Sequence, residues 1–160
     1  MQKHILTSFL ASLIVSFVTA QNVNIPDPVF KNYLVNHTYH SYPGGPGIDI
    51  YLDANGDGEI QYSEALNYPG NLTSFTFFMN GLGIADLTGI EAFKAIKRLE
   101  LSSNLLTALN VDECTSLEII NCSFNPIQSI VINNSSLQYF TSGSTPQLTQ
   151  IDLSGCSSLK

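Results

Sequence analysis

The sequence predicts an α/β solenoid in which short parallel β-strands stack coil upon coil behind a short helical N-terminal cap. Two observations predict it: residues 75–160 repeat with a period of 20–22 residues, and residues 21–74 do not repeat. Since one coil cannot bury its own apolar edge, successive copies must stack to form a core. We therefore expect a leader at 1–20, a cap at 21–74 and coils at 75–160.

The leader reads "MQKHILTSFLASLIVSFVTA". Lys3 and His4 form a short basic end, an apolar stretch follows, and small residues precede Gln21, which is the layout of a secretory signal peptide cleaved after Ala20. A membrane anchor is the alternative, although the apolar stretch is short for a span. No second apolar run approaches membrane length, so we expect a secreted or cell-surface protein with no transmembrane segment after signal removal.

Charge excludes one class of partner. Removal of the leader takes away Lys3 and leaves five basic residues against 13 acidic ones, a formal net charge of −8. Such a surface repels phosphate backbones, so we expect no nucleic-acid binding.

The cap begins with a helix signal. Asp27 followed by Pro28 is typical of an N-cap with proline at the first helical position. Apolar residues then recur at helical spacing and form one stripe, composed of Val29, Phe30, Tyr33 and Leu34. A short amphipathic helix here could cover the open end of the stack.

Residues 53–64 read "DANGDGEIQYSE" and match a 12-residue EF-hand calcium loop. The oxygen-ligand positions hold Asp53, Asn55, Asp57, Glu59 through its backbone carbonyl, Gln61 through water, and Glu64. Gly58 stands at the sixth position, where the loop turns sharply. The alternative is an acidic hairpin turn, because "NGDG" is a common turn string. Sensor EF-hands come in pairs, so a lone loop favours a structural calcium ion that stabilises the cap.

The coils carry one pattern of apolar residues and asparagines. Their anchors are Phe75, Ile96, Leu117, Leu137 and Leu159. Alternating residues such as Leu99 and Leu101 place one strand face inward, and the following Asn104 can satisfy backbone groups of the neighbouring coil. Asn125 repeats that position, Thr145 replaces it in the next coil, and Leu106, Leu109 and Val111 are expected to line the return side.

The three cysteines fit this pattern as buried structural residues. Cys122 holds an inward strand position, and Cys114 and Cys156 hold equivalent turn positions two coils apart. Two coils at strand spacing separate those sulfurs by about 10 Å, which is too far for a disulfide.

The residues between the inward ones are expected to face out from the sheet and to bind a partner. These candidates are Phe77, Met79, Arg98, Glu100, Ile119, Asn121, Tyr139 and Thr141. Stacking is expected to align Phe77, Arg98, Ile119 and Tyr139 in one apolar and aromatic row, as at many interaction sites. The alternative is that such side chains simply suit strands.

The repeat resembles the leucine-rich repeat, at the short end of that family's range of periods. Together with "IPDPVFKNYLVN", "NGDGEIQYSEA" and "GLGIADLTGIEAF", the coils resemble the N-terminal region of secreted bacterial leucine-rich-repeat proteins. The resemblance implies an exported protein that binds a protein or glycan through its concave sheet. The inserted "TYHSYPGGPGIDIY" departs from that pattern.

Catalysis finds little support in the sequence. No serine sits in a nucleophile elbow, and the acids outside the calcium-type loop include the adjacent Asp112 and Glu113 in a solvated turn. We therefore expect a non-catalytic recognition module. A spacer or scaffold region of a larger protein is the alternative, and a hydrolase whose catalytic domain is missing stays open.

Leu159 falls where another coil would open, so the stack is expected to be truncated there or to pair with another chain.

Overall fold

The computed structural model describes residues 21–36, 38–40, 49–67 and 76–160. The predicted leader at 1–20 and the predicted anchor Phe75 lie outside these residues. The elements in chain order are α1 Pro28–Val35, β1 Thr38–His40, β2 Asp49–Tyr51, α2 Tyr62–Asn67, β3 Thr76–Phe78, a 3-10 helix Ile90–Ala92, β4 Arg98–Glu100, β5 Ile119–Asn121, β6 Ser129–Val131, β7 Tyr139–Thr141 and β8 Gln150–Asp152.

Residues from β3 onward form a parallel-strand β-solenoid of about four turns, as the repeat predicts. Strands β3, β4, β5 and β7 pair in parallel, in that order, to form the main sheet. Leu99 lies beside Ile120, and Ile120 beside Phe140, in the predicted register. On the return side, β6 and β8 form a second parallel pair in which Ile130 faces Ile151.

The α-helices among the described residues lie in the cap, and the coils return through extended segments, turns and the single 3-10 helix. The parallel solenoid is therefore confirmed, whereas an α/β class stays a prediction. Within the described ranges, no helix combines the length and the apolar character needed to cross a membrane.

The core runs through the middle of the stack as layers of equivalent side chains. Leu99 and Ile120 fill it from the main sheet, and Leu106, Ile127 and Ile130 fill it from the return side, all fully buried. Each of these residues repeats a predicted inward position, so the period of the sequence is the period of the core.

Buried asparagines join one coil to the next. The Asn104 side-chain amide donates to the Met79 carbonyl of the preceding coil (2.6 Å) and to the Leu101 carbonyl of its own coil (2.9 Å). Its oxygen accepts from the backbone amides of Gly83 and Ile84, both at 3.0 Å. Each asparagine therefore satisfies backbone groups that would otherwise be buried without partners.

Asn125 repeats this arrangement one coil later. It donates to the Leu101 and Cys122 carbonyls at 2.9 and 3.0 Å and accepts from the Leu106 amide at 3.1 Å. In the next coil the Thr145 hydroxyl donates to the Ser142 carbonyl of the same coil. The shorter threonine thus supports its own turn.

The three cysteines are free thiols and buried, as predicted. The Sγ atoms of Cys114 and Cys156 donate to the Ile90 and Ile132 carbonyls of the preceding coils, each at 3.4 Å. Burial raises the pKa of the Cys114 thiol to about 12 and that of Cys122 to about 11. Both thiols are therefore protonated at neutral pH, which suits structural rather than reactive cysteines.

The cap helix α1 begins where the sequence predicts, and Asp27 ties it to the first coil. One Asp27 carboxylate oxygen caps the helix by accepting from the Val29 and Phe30 amides at 2.8 and 2.9 Å. The other oxygen accepts from the Ala85 and Asp86 amides at 2.8 and 3.0 Å. Burial acts to raise the pKa of Asp27, but these four amides outweigh it and hold the pKa below its usual value.

Part of the inserted segment forms a hairpin that the sequence does not predict. Strands β1 and β2 pair antiparallel, with Tyr39 facing Ile50. Residues 41–48, which connect the two strands in the chain, lie outside the described residues.

We predict that Asn125→Ala lowers the free energy of unfolding by about 2–4 kcal/mol, because the Leu101 and Cys122 carbonyls lose a buried donor and the buried Leu106 amide loses its acceptor. Urea denaturation measures the loss. Asn133→Ala serves as the control, since Asn133 is exposed. Equal stability of the two variants would contradict the role of Asn125 in joining coils.

We predict that Asp27→Ala destabilises the protein by about 2–4 kcal/mol at pH 7, because four amides lose a charged acceptor. A group whose folded pKa is depressed stabilises the fold above its unfolded pKa of about 3.9, and this contribution is lost as pH falls through the folded pKa. The difference between wild type and variant in urea denaturation should therefore shrink in acid. A difference that is constant from pH 7 to pH 2 would be inconsistent with this account.

Candidate functional site

The structure closes residues 53–64 into a tight loop around the Asp53 carboxylate. Asp53 is buried, and its two oxygens accept from the Gly56 and Gly58 amides at 2.8 and 2.9 Å. Both glycines adopt left-handed backbone angles, with φ of 71° and 79°. Glycine permits these angles without a steric penalty, so the "NGDG" string produces the predicted sharp turn.

Glu64 closes the loop from the first turn of α2. One of its carboxylate oxygens accepts from the Ala54 amide at 2.8 Å, and the other accepts from the Gln61 amide at 2.9 Å. Glu64, the last predicted ligand, therefore binds the backbone of Ala54, which is next to Asp53, the first predicted ligand. Ala54 and Glu64 are ten residues apart in the chain.

Asp57 lies among the remaining polar side chains of the loop. Its carboxylate accepts from Asn55 Nδ2 at 3.0 Å and from Gln61 Nε2 at 2.9 Å. Above all, the hydrogen bond from the Glu59 backbone amide lowers the pKa of Asp57. Asp57 is thus ionised well below neutral pH.

Glu59 has a side-chain role beyond its predicted backbone carbonyl. Its carboxylate pairs with Lys31 Nζ of α1 at 2.5 Å, with both side chains partly exposed. This ion pair links the loop to the cap helix. Sequence reasoning missed it because the two residues are 28 positions apart.

The loop thus brings the predicted calcium ligands into one hydrogen-bonded unit. The donor set is composed of carboxylate, amide and carbonyl oxygens, which fits the preference of a hard cation such as calcium. Among the described residues, no group of three or more His, Cys, Asp or Glu side chains is disposed to hold a metal ion. The predicted set relies in part on Asn55, Gln61 and a backbone carbonyl, and its carboxylates accept from amides of the loop. Calcium binding stays a prediction.

The outward face of the main sheet carries the second candidate site, here called the sheet face. Its first row contains Thr76, Arg98, Ile119 and Tyr139, and its second row contains Phe78, Glu100, Asn121 and Thr141. The residues that β4, β5 and β7 contribute to these rows face outward as the sequence predicts.

The predicted exposure of Phe77 and Met79 is wrong: both are fully buried. Thr76 pairs with Arg98, so the first coil is offset by 22 residues and not by the 21 that the predicted anchors give. A one-residue shift moves every side chain of a strand to the other face. The Phe77 ring packs edge-on against Tyr33 and Phe93, with centroids 5.8 and 5.2 Å away, which fixes it inward.

Glu100 faces outward as predicted, yet its neighbours cover it to 6% exposure. Arg98 donates from Nε at 2.6 Å, and its guanidinium also forms an ion pair with the same carboxylate. Asn121 of the next strand donates to the other oxygen at 3.1 Å. The pair is therefore neutralised and held rigidly in the middle of the sheet face.

Two aromatic rings lie exposed at opposite edges of this face. Phe78 on β3 is 63% exposed, and Tyr139 on β7 is 49% exposed. Lys160 Nζ lies 5.3 Å from the centroid of the Tyr139 ring, within cation–π distance. Sequence reasoning missed Phe78 because the register of β3 was shifted by one residue.

A recess of about 370 Å³ lies away from this face, between the turns of the first two coils. Its acidic side chains are Asp86, Glu91 and Glu113. Asp86 accepts from Thr88, Glu91 from the Gly89 amide, and Glu113 pairs with Lys94. These carboxylates thus stabilise local turns and an ion pair.

Models of known protein families give no match to this chain, and a search of curated proteins gives none either.

Proposed function

We propose that the protein is a non-catalytic extracellular or cell-surface recognition module of the leucine-rich-repeat type. In this proposal the sheet face binds a protein or glycan partner, and a calcium ion in the loop at 53–64 stabilises the cap. One observation carries the proposal: exposed Phe78, Arg98 and Tyr139 stand on a parallel sheet whose strands are fixed by the core beneath them.

The composition of the sheet face supports recognition. Aromatic residues and arginine are enriched among the side chains that contribute most to binding free energy. Rigid strands present them at little cost in conformational entropy on binding. Phe78 and Tyr139 lie three strand spacings apart, or about 14 Å across the strands at about 4.8 Å per spacing, and they belong to different rows, so a ligand must be extended to contact both.

The polar groups of the sheet face suit a neutral ligand. Arg98 and Glu100 neutralise one another, and Asn121 and Thr141 offer hydrogen-bonding groups beside them. Peptide backbones and sugar hydroxyls both match this chemistry, since each donates and accepts hydrogen bonds without carrying net charge.

Electrostatics support calcium in the cap. The Asp57 amide donates to the Asp53 carboxylate, and the Ala54 amide next to Asp53 donates to the Glu64 carboxylate, so three acidic residues are held in one short loop. The chain without its leader carries a formal net charge of −8, so a divalent cation there would offset local and overall repulsion. Bound calcium would supply positive charge between the carboxylates, and oxygens of Asp53, Asn55, Asp57, the Glu59 carbonyl and Glu64 would hold it, with Gln61 acting through water. The ion would serve structure rather than signalling.

Calcium is expected to raise the melting temperature, because a ligand that binds the folded state stabilises it by RT ln(1 + [L]/Kd). With a Kd of about 10⁻⁴ M, typical of extracellular modules, 10 mM calcium contributes about 2.7 kcal/mol. This corresponds to a rise of roughly 5–10 °C. Differential scanning calorimetry with calcium and with a chelator measures it.

Two variants separate a metal site from an acidic turn. Glu64→Ala should abolish the calcium-dependent rise, since it removes the closing carboxylate. Glu59→Gln should keep it, because position 7 contributes its backbone carbonyl and only the pair with Lys31 is lost. If calorimetry detects no heat of binding at millimolar calcium in the wild type, residues 53–64 form only a turn.

The sheet face is tested with labelled wild-type protein on arrays of defined glycans and purified surface proteins. For any ligand found, the double variant Ile119→Ser, Tyr139→Ala and the single variant Phe78→Ala should each weaken binding about 30-fold or more, as for aromatic residues that dominate an interface. Val131→Ser on β6, outside the main sheet, is the control, since Val131 is also exposed. Full binding by folded sheet-face variants would remove the sheet face from consideration as the binding site, and an absence of any ligand on the arrays would favour the spacer or scaffold role.

A further inference from the structure

Residues 21–25 pair with the second half of the calcium-type loop. The Val23 amide donates to the Ile60 carbonyl at 2.7 Å, and the Tyr62 amide donates to the Gln21 carbonyl at 3.0 Å. These bonds flank an antiparallel bridge between Asn22 and Gln61. The segment therefore fixes the backbone on both sides of Gln61.

A side-chain contact strengthens this link to the loop. Asn22 Oδ1 accepts from Gln61 Nε2 at 3.4 Å, and the same nitrogen donates to Asp57 at 2.9 Å. Gln61 is buried at this junction. Asn22 is thus a positioning residue for the side chain at the ninth position of the loop.

The other side of the segment packs on the first coil. Val23 and Ile25 are buried, and the chain runs over Gly89, whose φ is 104°. A Cβ atom at Gly89 would lie 2.7 Å from Ile25 Cγ1 and 2.9 Å from the Asn24 carbonyl oxygen. Residues 21–25 are therefore clamped between the loop and the solenoid.

We infer that residues 21–25 hold the backbone of the calcium site in place, so that their docking and calcium binding stabilise one another. This inference rests on the proposed binding of calcium to the loop. The segment pairs with Ile60 and Tyr62 on both sides of Gln61, and in this inference that pairing restrains the second half of the loop. By linkage, calcium must then tighten the docking of the segment as much as docking tightens calcium binding. The ion thereby joins the N-terminal segment, the loop and the first coil.

Hydrogen exchange of the full-length wild-type protein tests the inference directly. Calcium should slow exchange of the Val23 and Tyr62 amides by about fivefold or more, the lower range of coupling between linked sites. The Leu99 amide in the main sheet reports global stability under the same conditions. Slowing at Val23 and Tyr62 that exceeds slowing at Leu99 supports the coupling.

A pair of variants tests the reciprocal effect by calorimetric titration with calcium chloride. Val23→Ala removes packing from the segment and should weaken calcium binding about fivefold or more. Leu109→Ala, also at a buried apolar position but in a coil, should leave calcium affinity unchanged. If wild type binds calcium while neither exchange at Val23 nor the affinity of Val23→Ala changes, the coupling is wrong and the calcium proposal survives. If wild type binds no calcium, both are wrong.

Discussion

The buried side-chain amide that follows β4 and again β5 is the interaction on which the rest of the structure depends. Asn104 reaches carbonyls of two successive coils and accepts from two amides of the preceding one. Because the chain turns away from the sheet at this point, its backbone groups have no strand partners there. The amide satisfies them, and it thereby fixes where each strand ends and how far each coil is offset from the next.

The cap depends on the same need to satisfy buried backbone groups at the first coil. Asp27 does so with a carboxylate that is shared between the helix N-terminus and the amides of Ala85 and Asp86. Phe30 and Leu34 of α1 are fully buried in the same core cluster as Phe77. Asp27 therefore satisfies backbone amides of the first coil while Phe30 and Leu34 cover its apolar side chains, so the first coil is not left with an open edge.

The two candidate sites use this framework in different ways. The sheet face inherits its geometry from the stacked strands, since Arg98 pairs with Glu100 within β4 and Asn121 of β5 donates to Glu100 across strands. The calcium-type loop is built locally from glycines and short hydrogen bonds, and it meets the rest of the protein through Lys31 and residues 21–25. One site thus depends on the repeat, and the other on the cap.

The sequence by itself determined the features that depend on local spacing. The period, the asparagine positions, the N-cap at Asp27 and the turn glycine Gly58 all follow from residues close together in the chain. The β4–β5–β7 register was predictable for the same reason, because three similar copies define it.

Only the tertiary structure decided the rest. In "FTFFMN" the apolar residues allow either face to be buried, and the rings of Tyr33 and Phe93 turn Phe77 inward. Glu100 is covered by Asn121 from a neighbouring strand, and Glu59 meets Lys31 from the cap helix. These outcomes depend on which residues, distant in the chain, pack beside Phe77, Glu100 and Glu59 in the folded protein. Local spacing in the sequence does not specify those partners.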